Sequence, residues 1–197
     1  MSSSVVGVEP SQATRRHLSE RQVQTVARLA EAAVEEVRLE GYDGLTVRSV
    51  ARRAGVAPAT AYTYFSSKEH LVTEVFWRRL EALAESRVDR RRNVNGRLAD
   101  ALADLALLVA DEPELAAACS VAMLAPDPDV KSLRDRIGLE MHRRLARAMG
   151  DDADDAVLRA LDLALTGALI HAGMGHLAYD DLPGLLAEVA GLLTAGS

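Results

Sequence analysis

The chain has 197 residues, nearly half of them hydrophobic and rich in Ala and Leu, enough for one or two helical domains around a sizeable core. A single cysteine, Cys119, excludes an internal disulfide; no long uncharged apolar run suggests a membrane span, no basic-then-apolar leader opens the chain, and a reducing cytoplasm is the expected compartment. The net charge of −6 is split unevenly: residues 1–92 hold 15 Lys/Arg against 12 Asp/Glu, a net +3, and residues 93–197 hold 8 against 17, a net −9, so a polyanion would meet the first half and not the second.

Residues 1–18 show little periodicity and read as a flexible, solvated arm; Arg15, Arg16 and His17 have the chemistry to enter a minor groove. Ser19 and Gln22 then form the pattern of a capping box, with Leu18 and Val23 as the apolar staple around it. Val23, Val26, Ala27, Ala30, Val34 and Val37 follow at helical spacing, and Gly41 ends the run.

The stretch over residues 44–68 has the layout of a helix-turn-helix. Thr46 can cap a short helix whose Val47, Val50, Ala51 and Ala54 form one apolar stripe. Gly55 tolerates the left-handed turn that would end it, and Pro58 suits the first position of a second helix. That second helix sends Ala61 and Phe65 inward and Thr60, Thr63 and Tyr64 outward. Hydroxyls and methyls on an exposed helix suit base edges, phosphate oxygens and thymine methyls.

Residues from about 20 to 80 resemble the N-terminal domain of the TetR family of bacterial transcriptional regulators. Gly44, Leu45 and Thr46, Val50 and Ala51, Ala54 to Val56, Thr60, Tyr62, Tyr64 and Phe65, and Ser67 to Glu69 carry the match. The resemblance covers about a third of the chain. It implies an all-α fold with an N-terminal three-helix DNA-binding domain (19–66) and a C-terminal helical ligand-binding and dimerisation domain (67–197). It also implies a homodimer on a palindromic double-stranded operator. By position, Thr46 would bond a phosphate, Arg48 would reach a base edge, Thr60, Thr63 and Tyr64 would sit at the groove, and Tyr62 and Lys68 would hold phosphates. Ala57 departs from the Ser or Thr that many members carry there, so the second helix lacks a side-chain cap.

Beyond the motif, Ser66, Ser67 and Glu69 start a helix expected to run from residue 67 to about 89 and to link the two domains, ending at an arginine-rich solvated loop over residues 90–96. Four or five further helices are separated by Pro113 and by Asp-rich junctions at 126–129, 150–155 and 180–183, where carboxylates suit helix N-termini. An Ala- and Gly-rich helical half can enclose a small molecule. Candidate lining residues are Leu102, Leu105, Val109, Met123, Leu124, Met141, Leu145 and Met174, each also an ordinary core position. Tyr179 is the one aromatic residue after Trp77, so an aromatic cage for cations is not expected, and a flexible apolar effector such as an acyl chain or a terpenoid-like molecule is.

Residues 156–178 form the longest apolar helix. Ala160, Ala164, Gly167, Ala168, His171 and Gly175 keep small groups along one side, and with Leu185 and Leu193 of the final helix they form the expected dimer face. His171 and His176 are read as buried and hydrogen-bonded, the Asp151 to Asp155 run as a cap rather than a metal site, and Cys119 as inert in apolar surroundings. The leading reading is a ligand-responsive repressor that needs no cofactor. Its rival is a DNA-binding regulator without small-molecule input, controlled by abundance or a protein partner; a solid second domain would favour that rival. No nucleophilic triad, metal spacing or phosphate loop suggests an enzyme.

Overall fold

The computed structural model describes residues 20–84, 89 and 91–195. The expected arm, with Arg15, Arg16 and His17, and the expected cap at Leu18 and Ser19 lie outside the described residues. Among the described residues every regular element is a helix.

Helix α1 (Glu20–Gly44) buries Val26, Leu29, Ala30, Ala33 and Val37 along one side. Val23, expected inward, is 47% exposed: it lies off the side of α1 on which Gln22 and Val26 line a hollow with Tyr64, Phe65 and His70. Gly41, at φ 68°, breaks the helical path. Short helices α2 (Val47–Arg53) and α3 (Pro58–Tyr62) follow, then α4 (Lys68–Ala82), which buries Leu71, Val72, Val75, Phe76 and Leu80.

Helix α4 ends at Ala82, short of the expected residue 89. Leu83 is extended, and the Arg144 guanidinium donates to the carbonyls of Leu80 and Leu83 at 3.0 Å each, which satisfies acceptors that the helix end leaves open. Residues 85–88 and 90 of the expected link and loop lie outside the described residues.

The second half comprises α5 (Val94–Ala106), α6 (Pro113–Ala122), α7 (Pro128–Met149), α8 (Asp155–Gly173) and α9 (Leu182–Thr194). Asn93 caps α5, Asp127 caps α7 through the amides of Asp129 and Val130, and Asp154 caps α8 through those of Ala156 and Val157. Asp181 stands at the N-cap of α9 without a side-chain bond. Helix α5 packs on α7 and α9, and α8 packs on α6, α7 and α9. Helices α1 and α4 both rest on α6, so one apolar core runs from the motif into the second half. At the α6–α8 crossing a Cβ on Gly173 would lie 2.1 Å from Ser120 Oγ, so only glycine permits the approach.

By length and hydropathy helix α8 is apolar enough to cross a membrane, and only 28% of its apolar stretch is buried, but the run is not uncharged. It carries Arg159 and Asp162, and Asp162 meets His142 Nδ1 of α7 at 2.7 Å, so a place within the helical bundle explains its apolarity better than a lipid environment.

Candidate functional site

The motif is built by local chemistry. Thr46 Oγ1 accepts from the Ser49 amide at 2.9 Å, and Ser49 Oγ accepts from the Thr46 amide at 3.2 Å, a reciprocal cap at the start of α2. Gly55, at φ 64°, turns the chain, and Pro58 opens α3 where its missing N–H costs no helical bond. Ala57 stands at the N-cap of α3 and makes no side-chain bond. Replacing it with Ser should raise stability by about 0.5–2 kcal/mol; an unchanged urea midpoint would show that the open amides of α3 are already satisfied.

Beneath α3, which packs on α2, Ala61 and Phe65 are buried in the common core. Arg48, Thr60, Tyr62 and Thr63 are exposed above, and Thr46 presents its hydroxyl at the edge. Helix α3 is shorter than expected: it ends at Tyr62, and Thr63 Oγ1 turns back to the Thr60 carbonyl at 2.6 Å. Tyr64 therefore lies half-buried against the core and not wholly at the groove, a correction set by the tight turn through Ala61. Lys68 Nζ donates to the Tyr42 carbonyl at 2.9 Å and sits 4.3 Å from the Tyr42 ring centroid, so its ammonium braces the broken end of α1.

An ion pair between a buried carboxylate and an exposed arginine fixes α2 on α1. Arg53 Nε donates to Glu36 Oε1 at 2.6 Å. Burial raises the Glu36 carboxyl, but Arg53 and the Ser49 hydroxyl outweigh it and hold the group below its ordinary range. Arg53 is thus occupied, whereas Arg48 and Arg52 face outward; Arg52 is a candidate contact that periodicity alone did not single out.

Two polar joints tie the motif to the second half. Ser67, which caps α4, donates to Asp127 Oδ2 at 2.8 Å, while the other Asp127 oxygen caps α7. Ser66 donates to Asp129 Oδ2 at 2.8 Å. The Ser67 bond is the main cause holding the Asp127 carboxyl below its usual range. The second joint is Glu112, at the start of α6, which accepts from Arg38 of α1 at 2.9 Å and from Arg79 of α4.

Helices α4, α6, α7 and α8 surround an apolar cavity of about 170 Å³. Of the expected lining residues, Val109, Met123, Leu124 and Met141 reach it. Leu102, Leu105 and Leu145 do not: α5 packs on α7 and α9, and these three are fully buried core. Met174 follows the end of α8 and is 65% exposed. Phe76, Ile137, Leu169, Ile170, Tyr179 and Arg134 also line it, so Phe76 of α4 adds a second aromatic ring to Tyr179, the one aromatic expected from this half. Burial pushes the Cys119 thiol in this wall up to about 12, which leaves it un-ionised.

Along the outside of α8 and α9, Leu163 is 75% and Leu192 79% exposed, with Leu185 beside them. Ala160, Ala164, Gly167, Ala168 and Leu193 are half-buried at the edge of the core, and Gly175 is exposed. His171 and His176 are exposed, not buried, with ring centroids 5.8 Å apart: His171 lies on the outer side of α8, and Gly175 (φ 76°) turns the chain just before His176.

Comparison with known proteins follows the same lines. Residues 29–75 match the family model described as bacterial regulatory proteins, tetR family. The chain is 43% identical over 208 residues to an uncharacterized HTH-type transcriptional regulator of Mycobacterium tuberculosis, covering 100% of this chain and 96% of the relative. It is 31% identical over 137 residues to the HTH-type transcriptional repressor KstR of Mycolicibacterium smegmatis, covering 68% and 67% of the two chains. Among solved structures, a TetR transcriptional regulator from Rhodococcus sp. RHA1 superposes with a TM-score of 0.72 at 23% identity, over 91% of this chain and 99% of the other. FadR of Bacillus subtilis, solved in complex with stearoyl-CoA, superposes with a TM-score of 0.62 at 21% identity, over 87% and 98%.

Proposed function

The chain belongs to the TetR family of bacterial transcriptional regulators and is a DNA-binding regulator, not an enzyme; from that premise we propose that it is a dimeric repressor released from a palindromic operator by a small apolar effector. The observation that carries this reading is the buttressed α3, with Thr60, Tyr62 and Thr63 exposed above Ala61 and Phe65. In the proposed complex α3 of each subunit enters a major groove. Arg48 and Thr60 read bases, and Thr46, Tyr62 and Lys68 hold phosphates. Acting on chromosomal DNA, the protein works in the cytoplasm.

Two reading heads must sit about one helical turn apart, roughly 34 Å, to enter successive grooves. A ligand that binds better when the heads are mis-spaced lowers operator affinity by its differential affinity. The cavity supports an effector, since a solid core would have favoured a regulator without one. Helix α7 lines the cavity, and its cap Asp127 bonds Ser67 of the motif, which gives the ligand a short mechanical route to α3. The name of the KstR relative supports the repressor sense.

The apolar outer face of α8 and α9 supports the dimer. Leu163 and Leu192 stand exposed on helices that pack on each other, and the small residues near them on α8 allow close helix approach. Selection of bound duplexes from a random pool should return an inverted repeat with centres about 10 base pairs apart, or a multiple of that. The double variant Leu163→Glu, Leu192→Glu should sediment as a monomer and bind that repeat no better than a single half-site. Selected DNA without two-fold symmetry, or a double variant that still binds as a dimer, would overturn the proposal.

A further inference from the structure

We infer that the effector is an apolar anion, whose compact hydrocarbon body fills the cavity and whose oxyanion pairs with Arg134. This inference rests on the reading of the cavity as the effector site. Among the described residues, Arg134 is the single charged one in a wall otherwise made of hydrocarbon, sulfur and hydroxyl groups. It is half-buried on α7, and its guanidinium donates to the Met123 carbonyl at the end of α6. Among the described residues no carboxylate pairs with it, whereas Arg38, Arg53, Arg78, Arg79, Arg92 and Arg144 each meet an Asp or Glu.

A guanidinium carries five N–H donors and stays charged, so one carbonyl leaves most of its hydrogen-bonding capacity open. Placing that charge beside an apolar cavity is costly without a counter-ion. The wall does not supply one: the Cys119 thiol stays protonated, and the Ser120 hydroxyl is turned to the Ala116 carbonyl. Burial likewise pushes the Tyr179 phenol above its ordinary value, against an opposing hydrogen bond with Ser120, so it too stays neutral. A cationic ligand would meet Arg134 and no carboxylate; an anionic one supplies the missing charge in a planar, bidentate geometry.

The volume limits the rest of the molecule. About 170 Å³ is close to the cavity of roughly 150 Å³ that holds benzene, so the enclosed part is a ring or a short chain. The contact also suggests how binding is felt. Arg134 joins the C-terminal end of α6 to the first turns of α7, while the opposite end of α6 holds Glu112 and the cap of α7 holds Ser67. An anion that draws Arg134 from the Met123 carbonyl bears on both joints to the reading head at once.

Calorimetric titration of the full chain with octanoate, octanol, octylamine and octanoyl-CoA tests this. Octanoate should bind at least about 10-fold tighter than octanol or octylamine, a difference of one charge-assisted contact. Whichever of octanoate and octanoyl-CoA binds tighter identifies a free carboxylate or a coenzyme A conjugate as the source of the anion. Arg134→Gln should bring octanoate and octanol within about threefold of each other, Arg134→Lys should restore part of the preference, and Ile137→Trp should block every probe by filling the cavity. Octanol binding as tightly as octanoate to the native chain would overturn the anion and leave the cavity reading intact. Probes that bind the Ile137→Trp variant unchanged would overturn both. The native comparison needs no variant, so a misfolded substitution cannot mask the result.

Discussion

Replacing Arg48 and Thr60 together with alanine is expected to lower operator affinity by about 1000-fold while leaving fold and dimer intact. Both side chains are exposed, on α2 and α3, and neither supports the core. A correct base-edge contact is worth about 1–3 kcal/mol. Two contacts in each of two half-sites then amount to at least about 4 kcal/mol, or about 1000-fold. The loss should be selective: competition binding should show the variant's preference for its operator over scrambled duplex collapsing, with affinity for scrambled duplex falling far less. Tyr62→Phe and Lys68→Ala should behave differently. Each should weaken binding to all sequences, and Lys68→Ala should reduce the salt slope by about one per subunit. Lys68 also braces the Tyr42 carbonyl, so its variant needs a denaturation curve alongside the binding curve. Unchanged operator affinity in all four substitutions would remove α3 from the DNA interface.

The motif was legible in the sequence because its determinants act within a turn or two of where they stand. Thr46 caps the helix it precedes, Gly55 sits where a positive φ is needed, and Pro58 opens the next helix. The same locality exposed the missing cap at Ala57 and placed Asp127 and Asp154 at helix starts. Features decided by distant residues were not legible. Helix α4 stops where Arg144, more than 60 positions away, takes its last carbonyls. Periodicity marked Leu102, Leu105 and Leu145 as apolar but could not say whether they faced a void or a neighbour, since that depends on α5 packing against α7 and α9. An arginine in a helix of mixed charge reads in sequence as solvated surface; that no carboxylate among the described residues pairs with Arg134 becomes visible in three dimensions alone. Ser66 and Ser67 were recognised as the start of α4, yet their bonds to Asp127 and Asp129 join segments about 60 residues apart. The proposed signal between cavity and reading head would cross contacts of this long-range kind, which local spacing in the sequence does not display.

Glu112→Gln is expected to destabilise the chain by about 2–4 kcal/mol, somewhat below the roughly 3–5 kcal/mol for breaking a fully buried ion pair because the Arg38 partner is nearly half exposed to solvent. The side chain keeps its shape, so packing is little changed; the loss is electrostatic. Arg79 and Arg38 approach one carboxylate from α4 and α1, and without its charge they face each other at the junction on which the reading head is mounted. The pH dependence provides an independent check. Burial raises the Glu112 carboxyl, but the two arginines outweigh it and hold the folded-state value below the ordinary one. A depressed value means that the stabilisation is complete above the unfolded-state pKa, about 4.3, and is lost as pH falls below it through the folded value. The native chain should therefore lose more stability than Glu112→Gln between pH 6 and pH 3, and the two denaturation midpoints should converge in acid. Parallel curves over that range would show that Glu112 acts by packing alone. If the midpoints do converge, operator binding of the variant at neutral pH shows what the joint transmits: a reading head released from α6 should bind more weakly and respond less to any ligand in the cavity, because the core no longer holds its angle.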